Sequence, residues 1–380
     1  MAKRKTTDGK QDQQPAAAAQ GEQPDDDLFV IAAKDVKPKA VEWLWEGRLE
    51  KGTTAFIQGG KAAGKSTWLR AIAAYVTGGP LLPGMKGRKK AVGDVLYFAG
   101  EQSLESIVIP GLKAAGADMA RVHCSDRQNG GQNQLRLTRD CDKLDRLIRK
   151  LNVALVIIDP IFCFLDSFAN LEGPTTPIRD FMGEVSDVAA RTNAVILMAR
   201  NITKGPHRSA LDSGRGGGEL GNAARSVLHV DELPNPGNYA LAVVHANASA
   251  LVPAIGYQFQ SKGGSVIPDV KGWLSITADE LAGGEDAELE RTLLDHAKAI
   301  IKQMLKDGEV NSKSVKAIGE GCLISSRTMM RAAKELGVER RRSGSRDATQ
   351  EFWTKPRGGW PELGNTEPPP KGRKPRKTST

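Results

Sequence analysis

The segment FIQGGKAAGKSTWL, residues 56–69, constrains the fold more than any other part of the chain. It matches G-x-x-x-x-G-K-S and lies between an apolar run typical of a β-strand and a run typical of a helix. Glycines allow successive backbone N–H groups to turn inward on phosphates, and a helix N-terminus favours negative charge. The sequence therefore predicts a strand–loop–helix unit that binds a nucleotide by its phosphates.

The residues of this loop are expected to contact ATP as a group. They are Gly59, Gly60, Lys61, Ala62, Ala63, Gly64, Lys65, Ser66 and Thr67. Lys65 would neutralise charge on the β- and γ-phosphates, and the Ser66 hydroxyl would ligate Mg²⁺. A plain glycine-rich turn before a helix is the alternative, and the flanking strand and helix patterns disfavour it.

Short β-type runs alternate with helical stretches along the middle of the chain. The runs are TAFIQGG, GDVLYFAGE, ALVIIDP and AVILMAR. Apolar strands separated by amphipathic helices indicate a parallel sheet with helices on its faces. The later runs SVLHVDEL, YALAVVHANA and GYQFQ predict further strands, including a hairpin that finishes the sheet. The expected fold class is thus α/β with a mostly parallel sheet.

Two carboxylates follow apolar strands of this pattern. Asp159 ends LVIIDP and is expected to help hold Mg²⁺, because ligands of open α/β sheets collect at the carboxyl ends of the strands. Glu101 follows VLYFAG, where its carboxylate could polarise a water for attack on the γ-phosphate. The residues alone leave another interpretation of Glu101 open, as a surface residue before a helix with Gln102 and Ser103 as cap partners.

Four motifs together resemble a known family. WLWEGRLEKGTTAFIQGGKAAGKSTWL, VLYFAGEQS, LVIIDPIFCFL and ARNITKG resemble the successive motifs of RecA-superfamily AAA-type ATPases of plasmids and phages. The resemblance covers residues 40–260 and is strongest to RepA-type hexameric replicative helicases, with DnaB-type helicases and RadA-type repair ATPases more distant. It implies a RecA-like P-loop core, nucleotide at subunit interfaces, and a homo-oligomer such as a hexameric ring. It also implies that Glu101 activates the attacking water.

The motif ARNITKG resembles the sensor strand of that family. Relatives commonly have His or Gln where this chain has Asn201, which can hydrogen-bond a γ-phosphate or its water but cannot act as a base. Lys204 matches a lysine common at the end of the motif, and an ordinary solvated lysine is the alternative. His245 replaces a usual lysine two residues before the matching Asn247. This replacement predicts a slow or partner-dependent ATPase.

The segment SALDSGRGGGELGNAARS resembles the family's glycine-rich loop that faces the central channel. The resemblance implies that Arg208 and Arg215 touch DNA phosphates there. A surface loop without a nucleic-acid contact is an equally simple interpretation.

The sequence pattern of the C-terminal region predicts a small winged helix-turn-helix domain at 289–355, after a linker at 278–288. Three helices precede a basic hairpin formed by ERRR and EFWTKP. Ser326 is expected to cap the third helix, whose apolar stripe would include Met330, Ala333 and Leu336. The basic residues expected to contact DNA are Arg327, Arg331 and Lys334 on that helix and Arg341 with its neighbours in the hairpin. Winged helices also bind protein, and that alternative remains open.

Composition narrows the class of protein. The net charge of +9 favours a polyanionic partner weakly, and the four cysteines are single, as expected of reduced thiols in a cytoplasmic protein. No run of about 18 apolar residues predicts a membrane span. Residues 1–27 and 356–380 are polar or basic and are expected to be disordered tails, which leaves 28–277 for the core domain.

Together these features predict a Mg²⁺-dependent, ATP-hydrolysing motor on single-stranded or duplex DNA. A replicative helicase or helicase-like ATPase of a mobile element is the first interpretation. An ATP-switched DNA-binding regulator, or a recombination or repair ATPase, is the alternative. A non-enzymatic assembly protein with a vestigial site is disfavoured by the intact phosphate loop and Asp159.

Overall fold

The computed structural model describes residues 31–87, 91–126, 134–165, 176–203, 209–283, 286–343 and 350–360, without the side chains of 176–177 and 286–288. It divides into two compact units, Met1–Ala40 and Val41–Thr380. The described part of the first unit is exposed and contains one 3-10 turn, Ala33–Asp35. The predicted tail 1–27, and all of the predicted tail 356–380 beyond residue 360, lie outside the described residues.

The strands of the second unit build one large sheet and two small ones. In chain order they are β1 (Trp43–Trp45), β2 (Leu49–Glu50), β3 (Thr54–Gly59), β4 (Asp94–Ala99), β5 (Val122–Asp126), β6 (Val153–Asp159), β7 (Val195–Asn201), β8 (Ser226–Glu232), β9 (Tyr239–Ala246), β10 (Ala254–Lys262), β11 (Ser265–Leu274), β12 (Val310–Asn311), β13 (Glu339–Ser343) and β14 (Gln350–Thr354). Among the described residues the large sheet has nine strands, in the order β11-β10-β9-β8-β3-β7-β6-β4-β5.

Helices cover both faces of this sheet. They are α1 (Lys65–Val76), α2 (Ile109–Ala115), α3 (Cys141–Leu151), α4 (Thr176–Thr192), α5 (Ala210–Ser213), α6 (Gly217–Asn222), α7 (Ala278–Gly283), α8 (Asp286–Met304), α9 (Ser312–Gly321) and α10 (Ser326–Glu335). Side chains of one strand alternate between two cores: Ile57 packs with Trp68 of α1, whereas Phe56 packs with Leu144 of α3 and Val185 of α4. This alternation is the period-2 pattern of a strand buried on both faces.

Strand direction confirms the expected α/β class with a mostly parallel sheet. The six strands from β8 to β5 run parallel, and β9, β10 and β11 continue the sheet as antiparallel hairpins. Two strands of the large sheet, β5 and β11, were not among the predicted runs. Their sequences VHCSD and SVIPDVKGWL mix polar and apolar residues because both strands lie at sheet edges.

The C-terminal elements form a small second core. Helices α8, α9 and α10 pack with a three-stranded antiparallel sheet, in the order β12-β14-β13, around the buried Trp353 of β14. The predicted linker 278–288 includes the helix α7, Ala278–Gly283, and the first residues of α8, which begins at Asp286. Ala278 and Leu281 are buried against Leu233 of the region after β8.

The third C-terminal helix differs from its prediction by one residue. Ser325, not Ser326, is the N-cap of α10: its Oγ accepts a hydrogen bond from the backbone N–H of Thr328 at 3.0 Å. The buried apolar stripe of this helix includes Met329, whereas Met330 is only half buried. Either serine can cap a helix, so the sequence alone did not decide between them.

Candidate nucleotide-binding site

The predicted phosphate loop connects the last residue of β3, Gly59, to the first residue of α1, Lys65. Gly64 has a φ of 99°, and a Cβ atom there would lie 2.9 Å from the ring of Phe259. A Cβ atom on Gly59 would lie 1.9 Å from the backbone oxygen of Val230. Both positions therefore require glycine, because the backbone passes too close to its neighbours for a side chain.

Lys65 lies folded back on the loop that precedes it. Its Nζ donates to the backbone oxygens of Gly59 and Gly60, each at 2.8 Å. Burial lowers the pKa of Lys65, and the negative charges of Asp159, Asp231 and Glu101 oppose that shift. A phosphate bound at this loop would give the ammonium group a negatively charged partner in place of the two carbonyl oxygens.

Asp159 ends β6 as a buried carboxylate. Tyr97 Oη donates to its Oδ2 at 3.0 Å. Burial raises the pKa of Asp159, and hydrogen bonds from Ser66 and Tyr97 together with the charges of Arg70 and Lys65 offset part of the shift. A buried carboxylate beside a hydroxyl and a lysine is stabilised further by a cation placed between its oxygens and a phosphate.

The oxygen donors of this site fit Mg²⁺. The Ser66 hydroxyl and the Asp159 carboxylate lie together, and Mg²⁺ usually takes one or two protein oxygens plus waters and substrate phosphates. In the described part of the chain, no cluster of three or more His, Cys, Asp or Glu side chains could hold a metal alone. The donor set therefore suits a metal that is bound jointly with a nucleotide.

Gln102 connects the end of β4 to helix α1. Its Nε2 donates to Ser66 Oγ at 3.2 Å, and its Oε1 accepts from Arg70 Nη1 at 3.2 Å. The sequence suggested a helix-cap role for both Gln102 and Ser103. Ser103 caps the π-helical turn Leu104–Val108, where its Oγ accepts from the Ser106 N–H.

Glu101 is exposed two residues after β4 ends, at the same sheet edge as Asp159. The Gly100 N–H donates to the backbone oxygen of Asp159 at 2.7 Å, which ties the two strand ends together. The Cys163 thiol lies 4.0 Å from Glu101 Oε1. The carboxylate is near enough to oppose the lowering of the Lys65 pKa, so the structure brings these two charged groups to one site.

Asn201 is the last residue of β7 and lies beside Gly59 in the parallel register of β3 and β7. Its side chain is exposed at the loop edge of the sheet. Lys204 and Arg208, also predicted to act, lie outside the described residues. His245 is placed elsewhere: its ring Nε2 lies 3.2 Å from the backbone oxygen of Ala224.

The structure adds two features that sequence reasoning missed. Asp231, near the end of β8, lies beside the loop, since a Cβ atom on Gly60 would be 3.3 Å from its Oδ1. The pattern SVLHVDEL, an apolar strand that ends in a carboxylate, carried the same signal as LVIIDP. An aromatic wall of Tyr239, Tyr257 and Phe259 lines the loop, with Tyr257 Oη donating to the Ala63 oxygen at 2.6 Å. That wall comes from hairpins almost 200 residues later, which no local pattern reveals.

The described residues predicted to contact DNA are exposed and differ in whether a carboxylate pairs with them. Arg215 is exposed on the segment between α5 and α6, with its guanidinium 5.3 Å from the Phe162 ring. Arg327, Arg331 and Lys334 are all exposed on α10. Arg331 pairs with Glu335 at 3.1 Å, and Arg341 of β13 binds both carboxylate oxygens of Glu309. Among the described residues, neither Arg327 nor Lys334 has such an ion pair.

Comparisons with known proteins identify one similar family. A family model described as an AAA domain matches residues 19–206. The match includes the phosphate loop, Glu101, Asp159 and Asn201, and it covers slightly less than half of the chain. No match was found among curated proteins.

One solved structure similar to the chain is the crystal structure of the RadB recombinase. It is 16% identical, with a TM-score of 0.43, over 58% of this chain and 92% of that one. A likeness at this level carries no functional conclusion. No described helix is long and apolar enough to cross a membrane. The similarity to the AAA domain, together with the loop geometry, supports a P-loop ATPase domain in this chain.

Proposed function

We propose that the chain is a Mg²⁺-dependent ATPase that works on DNA as a helicase-like motor. The observation that carries the proposal is the convergence of Lys65, Asp159 and Glu101 at one edge of the parallel sheet, around the loop that begins at Gly59. Open α/β sheets bind ligands at this edge. The residues present have the donors and charges that phosphoryl transfer requires.

Each residue has a distinct role in the proposed reaction. The loop N–H groups and Lys65 would bind the β- and γ-phosphates, and the exposed carboxylate of Glu101 would align a water for attack on the γ-phosphorus. Ser66 and Asp159 would hold Mg²⁺, which offsets the charge that develops on the phosphates. Asn201 would hydrogen-bond the γ-phosphate or the water from the neighbouring strand, because its amide cannot accept a proton as a base.

The DNA-associated part of the proposal depends on the C-terminal elements. Three helices followed by a β-hairpin have the outline of a winged helix, with α10 as the helix that would enter the major groove. Arg327 and Lys334 are the basic residues of α10 that no described carboxylate engages. They would contact phosphates, while Arg215 would contact DNA from the glycine-rich segment in a ring-shaped homo-oligomer.

An ATP-switched regulator or a recombination or repair ATPase is the second candidate. The observation that favours it is His245, which occupies the place of a usual lysine and whose ring faces the Ala224 carbonyl of its own chain. A site without that lysine suits slow hydrolysis, as in a switch.

Hydrolysis rates with no DNA, single-stranded DNA and duplex DNA distinguish the candidates, together with mass in solution with and without MgATP. A motor predicts stimulation by single strands and assembly with MgATP. Stimulation by duplex DNA alone favours the switch. Equal rates in all three conditions and a monomer throughout contradict the motor.

A further inference from the structure

Three adjacent parallel strands carry buried polar side chains in one register row. Gln58 of β3 lies opposite Arg200 of β7 on one side and opposite His229 of β8 on the other. All three side chains have 0% exposure, in strands whose other buried residues are mostly apolar. Gln58 and Arg200 are the second-to-last residues of β3 and β7, whereas β8 continues for three residues beyond His229. We call Gln58, Arg200 and His229 the buried row.

The buried row binds the glycine-rich segment 209–222 through its backbone. Gln58 Nε2 donates to the Ala210 oxygen, and Arg200 donates to the oxygens of Leu211 at 3.2 Å and Gly217 at 2.9 Å. Gln58 Oε1 also accepts from Arg200 Nε at 2.9 Å, so the two side chains orient each other. Three backbone oxygens of the segment are thereby fixed to the sheet.

Two glycines of the segment approach Arg200 too closely to carry a side chain. A Cβ atom on Gly214 would lie 2.2 Å from the guanidinium carbon of Arg200, and one on Gly221 would lie 2.7 Å from its Nη2. The φ of Gly214 is −65°, which any residue can adopt, so its glycine serves close approach rather than turn geometry. The first and last glycines of GRGGGELG, Gly214 and Gly221, therefore leave room for the Arg200 side chain.

The other end of the buried row reaches the phosphate loop. Gln58 Nε2 can only donate, so the His229 Nδ1 at 3.3 Å accepts, and a neutral ring then carries its proton on Nε2. That Nε2 is buried without a hydrogen-bond partner among the described residues, and the nearest carboxylate oxygen, Asp231 Oδ2, lies at 3.7 Å. Asp231 in turn lies beside Gly60 of the loop and acts on the charge of Lys65.

The charge of Arg200 is costly to bury. Among the described residues no carboxylate pairs with it, and burial lowers its pKa to about 10. A buried charge held only by neutral acceptors is rarely the most stable solution for a core. We therefore look for a functional role of Arg200 rather than a contribution to the stability of the fold.

We propose that the buried row is a positioning device that couples the phosphate loop to the glycine-rich segment. Nucleotide at the loop shifts Asp231 and His229, Gln58 and Arg200 follow, and the segment that presents Arg215 moves with them. This inference rests on the proposed ATPase, and it identifies Gln58, Arg200 and His229 as positioning residues that touch neither nucleotide nor DNA.

Hydrogen–deuterium exchange of the full chain, with and without MgATP, tests the coupling directly. In the wild type we expect MgATP to slow exchange at 59–66 and to change it at 209–222. In Arg200→Met and Gly214→Ala we expect the response at 59–66 to persist and the response at 209–222 to disappear. Gly183→Ala, at an exposed glycine of α4 with nothing within 4 Å of the added Cβ, should behave as wild type.

The outcomes separate this inference from the proposed function. A wild type that responds at 59–66 but not at 209–222 overturns the coupling and leaves the ATPase standing. Absence of any response at 59–66 removes both. Variants that keep the response at 209–222 also overturn the coupling.

A kinetic readout distinguishes positioning from packing. In Arg200→Lys, which keeps the charge but loses the planar fork, we expect basal ATPase to stay within about threefold while stimulation by DNA falls about tenfold, a typical coupling factor. Equal losses in basal and stimulated rates would show a merely structural role and overturn the inference. Arg200→Lys also serves as the milder variant if Arg200→Met does not fold.

Discussion

Glu101 and Glu105 lie four residues apart and differ in what they touch. Glu101 influences the charge of Lys65, whereas Glu105 accepts a hydrogen bond from Ser103 Oγ at 3.0 Å in the following turn. Both carboxylates are exposed, so neither is needed for packing. Only the first is placed to align a water at the phosphate loop.

We therefore predict that Glu101→Gln retains ATP binding and loses hydrolysis by about 10²–10⁴-fold, because the amide cannot take up the proton of the water. Fluorescent-nucleotide titration and single-turnover hydrolysis measure the two effects separately. Glu105→Gln is the matched control and should leave both unchanged. Turnover of Glu101→Gln at the wild-type rate would remove Glu101 from the mechanism.

At this scale, the sequence points to residues whose signal lies in their own motif. Lys65 and Asp159 were proposed because a glycine-rich loop and an apolar strand mark them. Gln102 and the aromatic wall were not, because their roles arise from side chains that meet across strands far apart in the chain. Ser66 was predicted from the motif, but its contact with Gln102 required the structure.

The strands of the central sheet were predictable where both faces are buried. VALVIID is almost entirely apolar and TAFIQG is apolar at its centre, and they form β6 and β3 in the middle of the sheet. Edge strands such as β5 need only one buried side and lose that signal. Helix α7, inside the predicted linker, gave no separate signal in the sequence, because it is only six residues long.

Capping of helix α10 gives a prediction at the scale of an element. Ser325→Ala should lower the free energy of unfolding by about 1 kcal/mol, since it leaves the Thr328 N–H without its acceptor. Ser326→Ala should change it by less than about 0.5 kcal/mol, because the exposed Ser326 is the first helical residue. Urea denaturation of the full chain, followed by circular dichroism, measures both. A larger loss in Ser326→Ala would contradict the assigned cap.

The face of α10 gives a second prediction for an element. We expect Arg327→Ala with Lys334→Ala to reduce the magnitude of the salt dependence of DNA binding, log Kobs against log salt, by about 2, or about 0.9 for each phosphate contact. Arg341→Ala should change the slope less, because Glu309 already engages that guanidinium. Fluorescence anisotropy across a salt series provides the slopes. Equal slopes in all variants would place the DNA contact elsewhere.

For the whole molecule, the connection between the large sheet and the C-terminal elements runs through α7. Asp279 Oδ1 accepts from the Ala210 N–H at 2.6 Å, so the helix that leads to the C-terminal core also holds the start of the glycine-rich segment. Both cores lie in one compact unit, Val41–Thr380. A motor in which nucleotide, glycine-rich segment and DNA-binding helix act together would use this connection.

The most direct test of the ATPase is steady-state hydrolysis by the purified chain with Mg²⁺, in parallel with Lys65→Ala and Lys61→Ala. Lys65 Nζ is hydrogen-bonded to the loop carbonyls, whereas the exposed Lys61 of the same loop would contribute only its backbone N–H, which alanine keeps. We predict hydrolysis by the wild type, a loss of at least about 100-fold in Lys65→Ala, and a rate within about threefold of wild type in Lys61→Ala. A Lys65→Ala rate within about tenfold of wild type, or no hydrolysis by the wild type with any DNA, would contradict the account.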